Sequence, residues 1–338
     1  MADERYEAGM PDYQSFLRAK HEGLFRTPPD IIDEIVRKAT GSSPTEKQRI
    51  IKGEANEVHA IKIDSRREVI VRINREREAE SRFQSERWAI EQAAKADVPV
   101  PRVLLVESLQ LERKSVGISV AERLPGVPLD ELAKYTSDED LAEILQRAGA
   151  LLSRVHSVKT EGFGEIDKHG RGEHASIAGI FSEGNLSEPV LLAAAQSASL
   201  DPDILKRALH VLREFQNSCP PVSPHLLHGD FGPKHLLIES GKITGIIDFE
   251  NASSGDPSQE FANWQFFFEN RYPVESLRKG YSDKSVFGGD FERRFFVWKL
   301  VIGLSSLGYY LAEGNKSGIN HCKKRIPKDV SYFYRTYS

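Results

Sequence analysis

The residues best equipped for chemistry lie in one stretch. His228-Gly229-Asp230-Phe231-Gly232-Pro233-Lys234-His235 stands a short way ahead of Asp248-Phe249-Glu250. Between them run two apolar segments, Leu236-Leu237-Ile238 and Ile243 to Ile247, separated by the turn-forming Glu239-Ser240-Gly241-Lys242. A hairpin this short returns its ends to one place, so Asp230, His235 and Asp248 are expected to converge. Phosphoryl transfer requires such a geometry: one carboxylate accepts or orients the attacking hydroxyl while hard ligands hold Mg²⁺ on the nucleotide phosphates. The plain structural alternative is an aspartate-rich turn with a strand-end cap. That alternative leaves the convergence of three polar groups unexplained.

Elements on both sides must hold this stretch in place. Residues 1–45 alternate short helical patterns with breakers such as Pro28-Pro29 and Gly41-Ser42-Ser43-Pro44, which reads as a helical extension. Residues 46–124 form a first lobe. There Val58-His59-Ala60-Ile61-Lys62-Ile63 and Val69-Ile70-Val71-Arg72-Ile73 predict a hairpin, and a charged helix follows over about 75–96. Val98-Pro99-Val100-Pro101 forces an extended exit, and strands are expected near 102–107 and 116–123. Residues 125–338 form a second lobe after the Pro125-Gly126 break. Helical spacing is plain in Leu141, Ile144, Leu145, Ala148, Leu151, Leu152 and Val155, and helices are predicted at 189–198, 202–216, 258–269 and 290–313. The fold class is α+β, a small antiparallel sheet with one helix joined to a larger helical lobe.

Composition narrows the function classes. Of 338 residues, 39% are apolar and 28% charged, enough to bury a core. A net charge of −4 supplies no basic field for nucleic acid. Cys219 and Cys322 are the only cysteines, too few for a disulfide framework or a cysteine-rich zinc site, and a reducing, cytoplasmic setting is expected. Phe295 to Ala312 is apolar but interrupted by Lys299, Ser305 and Ser306, so it reads as a core helix and no membrane partner is expected. Oligomeric state is left open. No Gly-x-x-x-x-Gly-Lys-Ser/Thr loop, Gly-x-Ser-x-Gly elbow or His-Glu-x-x-His motif occurs.

The chain resembles the aminoglycoside phosphotransferase family, which shares the protein-kinase-like two-lobed fold. The resemblance spans about residues 48–313 and rests on Leu227-His228-Gly229-Asp230, Ile246-Ile247-Asp248-Phe249 and Gly255-Asp256-Pro257. Within the family it looks most like the hygromycin B 4-O-kinase branch, through Gly162-Phe163-Gly164, Gly53-Glu54, Arg72-Ile73-Asn74 and Gly303-Leu304. Asp230-Phe231-Gly232 spells the metal-binding triplet of protein kinases, yet it precedes the hairpin, where a catalytic loop belongs. The base is therefore assigned to Asp230 and the metal to Asp248.

The resemblance implies further roles. His228 would be a scaffold of the catalytic loop, and Asp256 would brace that loop by hydrogen bonds. His235 stands where the family usually has Asn. It would hold a metal through nitrogen, or hydrogen-bond a phosphate or water, since Mg²⁺ prefers oxygen. Arg72 would meet the phosphates, with an exposed strand charge as its plain alternative, and Glu86 would be its ion-pair partner or else part of a solvated helix face. Gly53 and Asn56 lie where the loop over the phosphates should be, and Ala121-Glu122-Arg123 would be the hinge against the purine.

The expected activity is Mg²⁺-dependent transfer of the γ-phosphate of ATP or GTP to a hydroxyl of a small molecule, foremost an aminoglycoside-type antibiotic. For a polycationic acceptor, Glu250, Glu260 and Glu269 are the acidic candidates, with solvated surface as the alternative. Macrolides, other sugars and amino alcohols are the other acceptors, and a pseudokinase-like nucleotide-binding module is the reading from a different class.

Overall fold

The structure, a computed structural model, describes residues 18, 21–23, 26–51, 56–111, 114–182, 184–218 and 221–337. Its first part is a five-stranded antiparallel sheet built from β1 (Glu46–Ile50), β2 (Glu57–Lys62), β3 (Glu68–Asn74), β4 (Val103–Leu111) and β5 (Lys114–Glu122), in the order β1-β2-β3-β5-β4. Period-two alternation decides what each face does. On β3, Val69, Val71 and Ile73 turn into a core with Ile61, Val116, Ile118 and Val120, while Arg72 points to the other face.

Helix α1 (Pro29–Thr40) covers the apolar face with Ile32, Ile35 and Val36, and Gly41 ends it in the left-handed region. Part of the stretch read as a separate extension thus shares the sheet's core. Helix α2 (Ala79–Lys95) crosses the opposite side and contributes buried Phe83, Glu86 and Ile90.

The second part is mostly helical. After β6 (Val127–Pro128) and the short α3 (Leu129–Leu132) come α4 (Asp138–Val155), β7 (Phe163–Ile166), β8 (Gly172–His174), α5 (Ile177–Ile180), α6 (Glu188–Ser197), α7 (Pro202–Ser218) and β9 (His225–Leu227). Then follow β10 (Leu236–Glu239), β11 (Lys242–Ile246), β12 (Ser253–Gly255), α8 (Ser258–Phe268), α9 (Val274–Gly280), α10 (Phe291–Ala312) and α11 (Lys316–Tyr337). The hairpin β10–β11 pairs on its outer side with β6, and Ile246 donates to the Pro99 carbonyl at 2.8 Å, so the hairpin is anchored to both parts of the chain.

By length and composition α10 could cross a membrane; here it packs against α8, α11 and α6, with Trp298, Leu300, Leu304 and Leu307 buried. The sequence reading did not anticipate β1, β6, β7, β8, β9, β12, α9 or α11. Pro327 inside α11 masked its helical pattern, although Cys322, Ile326, Val330 and Phe333 form a buried face. The ion pair of Lys299 with Asp329, at 2.7 Å and buried on both sides, ties α10 to that last helix.

Candidate active site

The loop after β9 begins with a glycine that the geometry requires. Gly229 has φ 84°, and a Cβ there would sit 1.8 Å from the Asn251 carbonyl oxygen. This close approach brings the start of the loop against the segment after β11. His228 fastens it: its Nε2 donates to the Ile247 carbonyl at 3.0 Å, and its Nδ1 accepts the Asp230 N–H at 3.3 Å. Burial lowers the pKa of this imidazole, so it is neutral, and the two contacts select its tautomer.

Asp230 and Asp248 come together as the hairpin predicted, and His235 bridges them. Its Nδ1 donates to the Asp230 carbonyl at 2.8 Å, and its Nε2 lies 3.1 Å from Asp248 Oδ2. Burial alone would lower the pKa of His235, but the hydrogen bond and charge of Asp248 raise it, and both ring nitrogens face oxygen acceptors. Asp248 responds in kind. Burial opposes its ionisation, yet His235, Arg72 and Lys234 hold its carboxyl far below the usual carboxylate range. Its φ of 70° is costly for a residue with a side chain, a conformation kept where the surroundings over-determine it.

From the sheet, Arg72 reaches the same place. Its Nη2 pairs with Glu86 Oε2 of α2 at 2.5 Å, its Nη1 lies 3.8 Å from Asp248 Oδ1, and its guanidinium stacks 5.1 Å from the Phe83 ring centroid. Glu86 is buried rather than part of a solvated helix face. Asn56, ahead of β2, donates to Glu250 Oε2 at 2.9 Å and accepts from Asn74 at 3.0 Å. Gly53 lies outside the described residues.

Several expectations need correction. Glu260, expected at the acceptor site or else on solvated surface, is 2% exposed and braces the loop, accepting the N–H groups of His228 and Gly229, each at 2.9 Å. His156 contacts the same carboxylate at 3.1 Å and Tyr281 at 3.1 Å; His156 gave no signal in the sequence. Burial works against Glu260's charge, but His156 and His228 lower its pKa and keep it ionised.

Asp256, expected to brace the loop, instead bonds Ser258, Arg294 and Trp298, so it anchors the start of α8 to α10. Glu269 faces α11, where Arg325 pairs with it at 2.8 Å. Glu250 turns to Asn56, ahead of β2, and burial and the charge of Asp248 raise its carboxyl pKa to about 7. At the expected hinge, Ala121 sits in the ladder between Ile70 and Val103, and the amides of Glu122 and Arg123 already donate to Arg102 and Glu68.

The donor set suits a cation that arrives with its own oxygen ligands. Among the described residues no group of three or more His, Cys, Asp or Glu is placed to hold a metal alone. Mg²⁺ commonly takes one or two carboxylates plus phosphates, and Asp248, ionised with its side chain 35% exposed, matches that demand.

A helix-braced antiparallel sheet closing over such a loop and hairpin is the architecture of a protein-kinase-like phosphotransferase. Comparison with known families is more specific: the chain belongs to the phosphotransferase enzyme family (APH), whose model matches residues 47–293. It is 26% identical over 253 residues to the hygromycin-B 4-O-kinase of Escherichia coli, covering 69% of this chain and 66% of that enzyme. The match thus spans a little under two thirds of that relative's length.

Among solved structures, a thermostable mutant of aminoglycoside phosphotransferase APH(4)-Ia in ternary complex with AMP-PNP and hygromycin B superposes with TM-score 0.70. The identity is 23%, over 89% of this chain and 97% of that one. The macrolide 2'-phosphotransferase MphH from Brachybacterium faecium gives TM-score 0.57 at 17% identity, over 88% and 98%. At these identities the two structures establish a shared fold.

Proposed function

We propose that this protein transfers the γ-phosphoryl group of a nucleoside triphosphate to a hydroxyl of a small molecule. One observation carries the reading: His235 reaches the Asp230 backbone carbonyl with Nδ1 and the Asp248 carboxylate with Nε2, with the Asp230 carboxylate 3.9 Å from the ring, so an acceptor-side and a metal-side carboxylate lie around one imidazole, and Arg72 approaches Asp248 to 3.8 Å. Asp230, with its side chain 29% exposed, takes the proton of the acceptor hydroxyl as that oxygen forms its bond to phosphorus and the bond to the nucleoside diphosphate breaks. Asp248 would hold Mg²⁺ together with the phosphates, and the ion would supply neutralisation of phosphate charge. Arg72, oriented by Glu86, adds a preorganised cation on the nucleotide side. His235 ties the backbone of Asp230 to the Asp248 carboxylate, and its Nε2 would hydrogen-bond phosphate or hold the metal.

The relatives favour an aminoglycoside-type acceptor such as hygromycin B. A second reading, an acceptor with little positive charge such as a macrolide, a sugar or another hydroxylated metabolite, is favoured by where the acids lie. Glu260 is buried against backbone, Glu269 pairs with Arg325, Glu250 meets Asn56, and Lys234 stands beside Asp230. Nucleotide consumption with ATP or GTP and Mg²⁺, across hydroxylated antibiotics and metabolites, tests both. Phosphorylated product with any acceptor supports transfer, and its chemistry separates the readings. Tight nucleotide binding with no product from any acceptor would replace the proposal by a nucleotide-binding module.

A further inference from the structure

The turn between β7 and β8 sits under the helix that carries Glu86. Its Gly170 is buried although Lys168, His169 and Arg171 around it are exposed, because the indole of Trp88 on α2 covers it. A Cβ at Gly170 would lie 2.1 Å from two ring carbons of Trp88, and φ there is 79°. Asp167 stiffens the turn, accepting the N–H groups of His169 at 2.8 Å and Arg171 at 3.0 Å. The contact is therefore backbone against ring, with no flexible side chain between them.

Both sides of this contact lead to the site. Strand β7 pairs with β12, and β12 with β9, in the sheet order β8-β7-β12-β9. Strand β9 ends at Leu227, next to His228 and the loop of Asp230, and β12 is the first strand after Asp248 and Glu250. On the other side, Trp88 is two residues from Glu86, whose carboxylate pairs with Arg72. Ala89, Ile90 and Ala93 of α2 are buried in the core of the second part, and Arg154 of α4 donates to the Asp97 carbonyl just past the helix at 2.7 Å. Helix α2 thus meets the sheet through Phe83 and Glu86 but is seated by the second part of the chain.

Resting on the phosphotransferase reading, we propose that Trp88 and Gly170 are positioning residues: the β7–β8 turn, wedged under Trp88, sets where α2 presents Glu86 and so where Arg72 points relative to Asp248. One four-stranded sheet then fixes the loop after β9 and, through a single ring, the cation supplied by the other part of the chain. A side chain at position 170 pushes α2 off the turn and takes Glu86 out of line with Arg72. Neither residue takes part in the chemistry itself.

Titration calorimetry with Mg²⁺–ADP tests this without a known acceptor. Gly170→Ala should weaken binding roughly 10-fold, the scale of one misdirected charged hydrogen bond. Gly314→Ala controls for backbone strain, since Gly314 has φ 65° with nothing within 4 Å of a Cβ; its affinity should match that of wild type. Trp88→Leu removes the ring that rests on the turn and should weaken binding in the same direction, a second readout should Gly170→Ala not fold. In an Arg72→Met background both substitutions should leave affinity nearly unchanged, because the contact acts only through Arg72. Support of the fold alone would not produce that dependence. Wild-type affinity in both variants, or an undiminished loss in the Arg72→Met background, overturns the role of the contact. A wild-type chain that binds no Mg²⁺–ADP instead removes the phosphotransferase reading itself.

Discussion

The carboxylate of Glu260 accepts the backbone N–H of His228 at 2.9 Å, so a helix side chain, buried to 2% exposure, sets where the loop after β9 begins. Its second oxygen does the same for Gly229. Glu260→Ala leaves two buried N–H groups and His156 without their acceptor, and it should cost about 3 kcal/mol of stability. Turnover should fall more than nucleotide affinity, because the loop and not the cleft is loosened. Denaturant unfolding matching wild type would show that the brace is dispensable.

Asp230→Asn keeps the shape of the side chain but cannot accept the hydroxyl proton. Turnover is expected to drop about 10²- to 10⁴-fold, with nucleotide affinity within a few-fold of wild type. Steady-state kinetics beside calorimetry decide it, and unchanged turnover would remove Asp230 from the mechanism.

Asp248→Ala should lose the Mg²⁺-dependent part of nucleotide binding, since its ionised carboxylate is the accessible hard ligand. Titration of ATP with and without Mg²⁺ is the measurement. Equal Mg²⁺ enhancement in the variant would contradict the assignment.

The Arg72–Glu86 pair is buried on both sides, with side chains 15% and 3% exposed. Glu86→Ala should therefore destabilise the fold by about 3–5 kcal/mol, by stranding a buried guanidinium. Arg72→Met should mainly raise KM for nucleotide. A nucleotide KM unaltered in Arg72→Met would place Arg72 outside the phosphate site.

Glu57 opens β2 and gathers Thr27, His59 and Arg75 around one carboxylate. Burial opposes its charge, but these partners lower its pKa from 4.5 to about 2. A lowered folded-state pKa gives stability that is present above the unfolded value and lost as pH falls through about 2, on the order of 3 kcal/mol. In Glu57→Gln the acid limb of the stability curve between these values should flatten. A limb as steep as that of wild type would assign the acid sensitivity to other carboxylates.

Local chemistry made part of the site legible in advance. A hairpin of fixed short length joins Asp230 to Asp248 whatever surrounds it, so their convergence is a property of chain connectivity. Alternation along β3 separates Arg72 from the valines that enter the core, whereas Glu86 was pointed to by the family resemblance alone and its pairing with Arg72 came only with the packed helix. The destinations of Glu250, Glu260 and Glu269 could not be read the same way, because all three are acids in one segment with nothing local to distinguish them.

By itself the sequence determined a two-part α+β chain with a carboxylate at each end of one turn, since periodicity and loop length act over a few residues. Only the tertiary structure decided which acid carries the loop, which pairs with Arg325 and which faces Asn56, and that Lys234 folds back onto Asp230. The physical reason is range: Glu260 is ionised and oriented through His156, 104 residues away, and such a partner appears only when helices pack.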